Sequence, residues 1–220
     1  MSIFTRSAFT MAAIGLLSAG MATSASATVI FTAGNNPQDG QQTIQFGSDQ
    51  TGTSLTGTTN TTNTEVSFTG DGEQLKAAAA GAARVEAVDG AFTYLKFEVT
   101  GAPGAFDSLV LDVDATADGS ITLFAKDQFN VTQSATFNLG GKGNNFFTIT
   151  TDLAQVMTSL WFTSSTGIAF VDAAQFRVVT ASIPPPGDPS AVPEPASMLL
   201  LGSGLAGLAA LRRRRAAARS

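Results

Sequence analysis

Between residues 28 and 182 the chain alternates apolar and polar residues with a period of two. Val66 and Phe68 alternate with Glu65, Ser67 and Thr69, and Leu95, Phe97 and Val99 with Tyr94, Lys96 and Glu98. Leu109, Leu111 and Val113 alternate with Ser108, Asp112 and Asp114. Ile121 and Leu123, Phe147 and Ile149, Leu160 and Phe162, and Phe176 and Val178 continue the pattern. This period is that of half-buried strands, whose successive side chains point to opposite faces. Asp71-Gly72, Asp89-Gly90, Asp118-Gly119 and Gly140-Gly141 punctuate the runs as turns. Some nine or ten short antiparallel strands at this spacing predict an all-β domain, an antiparallel β-sandwich of jelly-roll type. The abundance of Thr and Phe fits strand propensity.

Several segments depart from the alternation. Thr51–Asn63 is almost entirely Thr, Gly, Asn and Ser and reads as a long polar loop or a weak edge strand. Ala77–Ala83 is alanine-rich, but Gly81 and the flanking strand patterns make it a strand-loop connection rather than a helix. Asp152–Thr158 reads equally as one helical turn or a loop. Residues 183–192, with Pro184-Pro185-Pro186, form a semi-rigid extended linker.

The two ends follow a different logic. Ala196–Leu211 is uncharged and, as a helix rising about 1.5 Å per residue, would span roughly 24 Å. That is short against a hydrocarbon core of about 30 Å, and Gly202, Gly204 and Gly207 dilute its hydrophobicity. Arg212, Arg213, Arg214 and Arg215 follow at once, and such charge stays on the cytoplasmic side of a spanning segment. At the other end, residues 1–27 carry Arg6, the apolar run Ala8–Leu17 and the small-x-small site Ala25-Ser26-Ala27. These are the parts of a secretory signal peptide, with its short helix, removed before Thr28. The layout predicts export, with residues 28–192 outside the membrane and a transmembrane helix at 196–211.

Pro193-Glu194-Pro195, the apolar stretch and the four arginines stand in the order of a known sorting signal. Residues 193–220 closely resemble the PEP-CTERM signal of exopolysaccharide-producing Gram-negative bacteria. The resemblance implies recognition by an exosortase, a membrane enzyme thought to cut near the triplet. It further implies tethering at the inner membrane before processing, then passage to the cell surface or extracellular matrix. More loosely, residues 28–182 are similar to the small β-sandwich domains that precede such tails. That likeness implies non-enzymatic surface or matrix proteins more often than enzymes.

Charge and composition narrow the remaining chemistry. From Thr28 to Ala191 there are sixteen Asp and Glu against six Lys and Arg, a formal charge of −10. A surface of that sign disfavours nucleic acid, whose binding depends on basic contacts to phosphate. Cysteine and histidine are both absent, which removes thiol nucleophiles, Ser-His-Asp triads and His-ligated zinc. Asp112, Asp114 and Asp118 precede Gly119 with a spacing faintly like a calcium loop, yet Thr116 and Leu123 occupy the fifth and twelfth positions, so the EF-hand pattern fails. A generic calcium site on these carboxylates stays open beside the plainer reading of two strand carboxylates and a turn Asp. As a glycosidase pair Asp112 and Asp114 have a permissible spacing and no further support. Tyr94 and Trp161 fall on the outward phase and are the candidate platforms for sugar rings. The favoured reading of Trp161 is nonetheless the second face of a fully buried strand, and that of Tyr94 an ordinary exposed strand residue. Asp172, Gln175 and Arg177 could supply hydrogen bonds to hydroxyls, or an Asp–Arg pair serving stability alone. Two functions remain: a non-catalytic surface or matrix protein associated with exopolysaccharide, and a carbohydrate-binding module.

Overall fold

The alternating segments form strands in the computed structural model, which describes residues 28–183 apart from Ala80, Lys142, Leu153, Ala154 and Thr166. The signal peptide, the linker beyond Ile183, the sorting triplet, the transmembrane helix and the arginines lie outside the described residues. In chain order the strands are β1 Val29–Ala33, β2 Gln42–Gln45, β3 Gln50–Gly52, β4 Ser54–Thr59, β5 Glu65–Thr69, β6 Leu75–Ala77 and β7 Arg84–Ala87. There follow β8 Tyr94–Val99, β9 Gly104–Ala115, β10 Gly119–Asp127, β11 Thr132–Leu139, β12 Asn145–Thr151, β13 Met157–Ser164 and β14 Phe170–Ser182. Among the described residues there is no helix, and every strand pairing is antiparallel.

The hydrogen-bonded path closes on itself. From β9 it runs through β14, β2, β4, β5, β8 and β13, and the pair Met157–Phe106 returns it to β9. β10 and β11 extend it beyond β13, β12 and β1 beyond β9, and β7, β6 and β3 beyond β14. The all-β antiparallel class is therefore as the alternation predicted, as one barrel-like sheet.

Its interior is a run of phenylalanines. Phe68 touches Phe46, Phe97 and Phe176, with ring centroids 5.4, 6.3 and 4.9 Å apart, and Phe162 meets Phe170 edge-on at 4.9 Å. Each such side chain, withdrawn from water, contributes about 1.5–3 kcal/mol. With no disulfide in the chain, this core and the strand ladders hold the domain.

Two expectations change. Thr51–Asn63 is not a loop: β4 lies within it as an interior strand between β2 and β5, with Leu55 and Thr59 buried. Thr59 is tolerated inside because its hydroxyl meets those of Thr62 and, through Thr62, Thr64. Gly57 lets β2 approach, since a Cβ there would stand 2.7 Å from Ile44 Cγ2. The second change concerns β9. Its outward phase is covered, with Ser108 at 2% and Asp112 at 6% exposure. The β1–β2 connection ties down across the neighbouring strands: Asn36 N–H donates to Thr148 Oγ1, Thr148 Oγ1–H to Gly34 O, and Arg177 to Asn35 Oδ1. A β9 carboxylate that looked solvent-facing is thus buried. Met157 opens β13 directly after the 152–156 connection, of which Asp152, Gln155 and Val156 are described as irregular.

Candidate functional site

β10, β13, β8 and β5 lie side by side and put Leu123, Leu160, Phe162, Leu95, Phe97 and Phe68 into the core. Their period of two then fixes the opposite face. Phe124, Trp161, Lys96 and Thr69 form one row across it. Thr122, Thr163 and Tyr94 form the row on one side, and Lys126, Ser159, Glu98 and Ser67 the row on the other. The two rings singled out from sequence are therefore diagonal cross-strand neighbours, a placement about 7–8 Å between Cα atoms. Trp161 is half-buried rather than enclosed.

Phe124 is the residue that sequence reasoning missed. Its ring stacks on Trp161 with centroids 5.1 Å apart and planes 3° from parallel. Near-parallel planes with centroids 5.1 Å apart make an offset stack, which suits the ring quadrupoles, and both residues are half-buried. Hydroxyls surround the pair: Thr122 and Thr136 are hydrogen-bonded at 2.9 Å, and Ser159 and Thr163 flank Trp161 along β13. The Lys96 ammonium is held by Glu98 at 2.7 Å. Burial pushes the Tyr94 phenol above its ordinary value, opposed by Lys96 and assisted by Asp71 and Glu98, so it remains a hydrogen-bond donor at neutral pH. Rings that stack and hydroxyls that donate and accept, laid across several strands, suit an extended ligand rich in C–H faces and hydroxyls.

The acidic candidates separate. Asp112 and Asp114 share the outer face of β9, and Asp114 lies opposite Asp172 on β14. Asp172 accepts from Arg84 at 2.9 Å, so the Asp–Arg pair exists with a different arginine from the one expected. Burial raises the Asp112 carboxyl, with Asp114 adding to the rise and the Asn145 and Val113 amides opposing it. Burial also raises Asp172, against the pull of Arg84. Asp112 Oδ1 is buried without a partner. Asp118 is elsewhere engaged: its Oδ1 accepts the Gly141 N–H at 2.7 Å. Gly141 packs so closely there that a Cβ would fall 2.4 Å from the Ala117 backbone. Among the described residues, no three acidic side chains stand where they could hold a metal ion. Gln175 occupies a bulge in β14 at φ +52°, where its N–H donates to Ala83 O. A cleft of about 300 Å³ opens between Asp49, Gln50, Lys76, Arg84 and Glu86, and neither Asp112 nor Trp161 lines it.

By sequence, residues 191–215 match the PEP-CTERM protein-sorting motif. No curated protein matches the chain. Among solved structures, an exo-β-agarase superposes with a TM-score of 0.35 at 9% identity, over 69% of this chain and 26% of its own. A family 29 carbohydrate-binding module gives 0.33 at 13% identity, over 75% and 99% of the two chains. A second module of that family, from Piromyces equi, gives 0.31 at 10%, over 71% and 93%. The chain thus spans about a quarter of the agarase, and these are likenesses of backbone course that say nothing of ligands. The sorting motif is another matter: this chain carries a PEP-CTERM signal at residues 191–215, which implies an exported protein sorted to the surface by an exosortase at a membrane.

Proposed function

We propose that this is a non-catalytic surface or matrix protein that holds exopolysaccharide on the outer face of β10, β13 and β8. The stacked, half-exposed pair Phe124–Trp161 carries the reading. A stacked cross-strand pair stabilises a sheet, and it does so equally well buried; set among hydroxyls on an outer face, it also offers apolar faces to sugar rings. Tyr94 adds a third ring and a phenolic donor. The barrel-like sheet serves as the display unit, and we read it as of sandwich, jelly-roll type. In the sequence of events the resemblance implies, the signal peptide exports the chain, the 196–211 helix tethers it at the inner membrane, and cleavage near Pro193–Pro195 releases it to the surface or matrix.

Catalysis is not part of this reading. Asp112 is buried, and neither it nor Asp114 lines the cleft. Calcium is left out of the reading because, among the described residues, no three acidic side chains come together to hold it. The test is retention of the native protein on its own purified exopolysaccharide. Wild type is retained, whereas Trp161→Ala, Phe124→Ala and Tyr94→Ala each weaken retention. Unchanged retention in all three variants would remove the surface from consideration. Turnover on a polysaccharide panel that disappears in Asp112→Asn would make the protein an enzyme instead.

A further inference from the structure

One row of paired residues runs across four strands near one end of the barrel: Thr180 pairs with Phe106, Phe106 with Met157, and Met157 with Asp127. Beyond this row lie the β10–β11 hairpin tip, Asp152, Gln155 and Val156, and the end of β14, while β1 begins just inside it, with Val29 opposite Thr151 and Ile30 opposite Thr150. Hydrogen bonds join them, from Gln128 N–H to Val156 O, from Asp152 N–H to Thr28 O and from Val29 N–H to Gln133 Oε1. Among the described residues, three of the six exposed large apolar side chains lie at this end, Phe129 at 69% exposure, Val131 at 54% and Ile183 at 46%, and a fourth, Ile30 at 47%, stands two residues inside the row. The other two, Val88 and Val171, belong to the opposite end, where β7 leaves its pairing and β14 begins.

The hairpin tip is built rather than loose. Asp127 is buried, and its Oδ1 accepts the N–H groups of both Phe129 and Val131 at 2.8 Å. Its other oxygen accepts from Gln155 Nε2 at 2.7 Å, and Asn130 turns the chain at φ +65°. The sequence therefore invests a buried carboxylate in holding Phe129 and Val131 out into solvent. A preformed apolar tip has little ordering cost to meet on contact with a partner.

We propose that this end is a membrane-contacting face, and that its occupant is the lipid bilayer to which the sorting tail delivers the chain. The inference rests on the tethering step of the proposed function. Its support is where the chain goes: it leaves this end at Ile183, and only residues 184–190 separate it from the sorting motif at 191–215. A tether of that length keeps a weak apolar contact at high effective concentration, so a few side chains suffice. Phe129, Val131 and Ile183 are apolar side chains of the kind that bury at the boundary between headgroups and acyl chains. Asp107 and Asp152 are exposed at the same end, so uncharged headgroup surfaces are favoured over anionic ones.

The experiment uses the full chain in phosphatidylcholine vesicles. Trp161 is the sole tryptophan, so Phe129→Trp in a Trp161→Phe background places one emitter at the tip. Val88→Trp in the same background is the control, since twelve-residue β9 alone sets the two ends roughly 40 Å apart at about 3.3 Å per residue. Vesicle flotation is read first, and then the loss of emission in vesicles of brominated phosphatidylcholine. The expected result is a chain that floats, with F129W emission lost and V88W emission kept. A floating chain in which neither is quenched, or both equally, overturns the docking face and leaves the tether intact. A chain that does not float overturns both.

Discussion

Gly57→Ala gives a sign test of the least expected strand. In the interior position of β4, a methyl at residue 57 meets Ile44 Cγ2 at 2.7 Å, Gln45 O at 3.2 Å and the Phe46 ring at 3.5 Å. The isoleucine can give a little, but the carbonyl belongs to the neighbouring strand and cannot move without the ladder. Overpacking of this kind costs about 1–3 kcal/mol. Restricting the unfolded chain returns roughly 0.4–1 kcal/mol, so a net loss remains. With a urea m-value of about 1–3 kcal/mol/M, the midpoint should fall by something on the order of 0.5–1 M. Gly47→Ala is the counterpart: nothing lies within 4 Å of its Cβ position, its φ is not in the left-handed region, and it follows β2 in an exposed bend. It should leave the midpoint unchanged or raise it, the behaviour a polar loop would give at both sites. Urea unfolding followed by Trp161 emission reads both variants. If Gly57→Ala matches Gly47→Ala or stabilises the protein, β4 is not an interior strand and the sheet path described here is wrong.

Because burial holds the Asp112 and Asp172 carboxyls above their ordinary value, their contribution is fully present below about pH 4 and is lost as pH rises through their folded-state values. Asp112→Asn should therefore raise the urea midpoint at pH 7 and converge with wild type as pH falls below about 4; a difference independent of pH would refute this. A double-mutant cycle of Phe124→Ala and Trp161→Ala should return a coupling of about 0.5–1.5 kcal/mol in stability, and zero coupling would mean the rings do not stack. EDTA should leave retention on exopolysaccharide unchanged, whereas loss restored by calcium would call for a metal site after all. Intact mass of the protein from the producing cell's matrix should end near Pro193–Pro195; a chain in the inner membrane still bearing Arg212–Arg215 would make the tail a plain anchor.

The alternation exposed β5, β8 and β12 directly because each has a hydrocarbon phase and a polar one. It hid β4, whose inward residues are Leu55, Gly57 and Thr59, since only the first is a large hydrophobe. It undercounted the strands because β3, β6 and β7 have only three or four residues each. β9 carried a readable sign that its polar phase was covered: Val110 sits on that phase between Leu109 and Leu111. What covers neighbouring Thr148 is the Asn36 segment, 112 residues away, and no local pattern contains that contact. Phe124 was legible in the same way as Val110, standing on the outward phase between Leu123 and Ala125. That it stacks on Trp161 is a matter of register between β10 and β13, which depends on the pairing of strands 37 residues apart. The sorting motif was legible because it is read by order of residues rather than by fold.

The central claim is that exopolysaccharide lies against Trp161, and the protein carries its own reporter for it. With one tryptophan in the chain, emission during titration with the purified native polysaccharide comes from the proposed surface alone. The account predicts a saturable blue shift as sugar displaces water from the half-exposed indole, absent in Trp161-containing chains that carry Phe124→Ala and Tyr94→Ala together. Emission that stays unchanged while the protein is retained on the polysaccharide would place the contact elsewhere and contradict it.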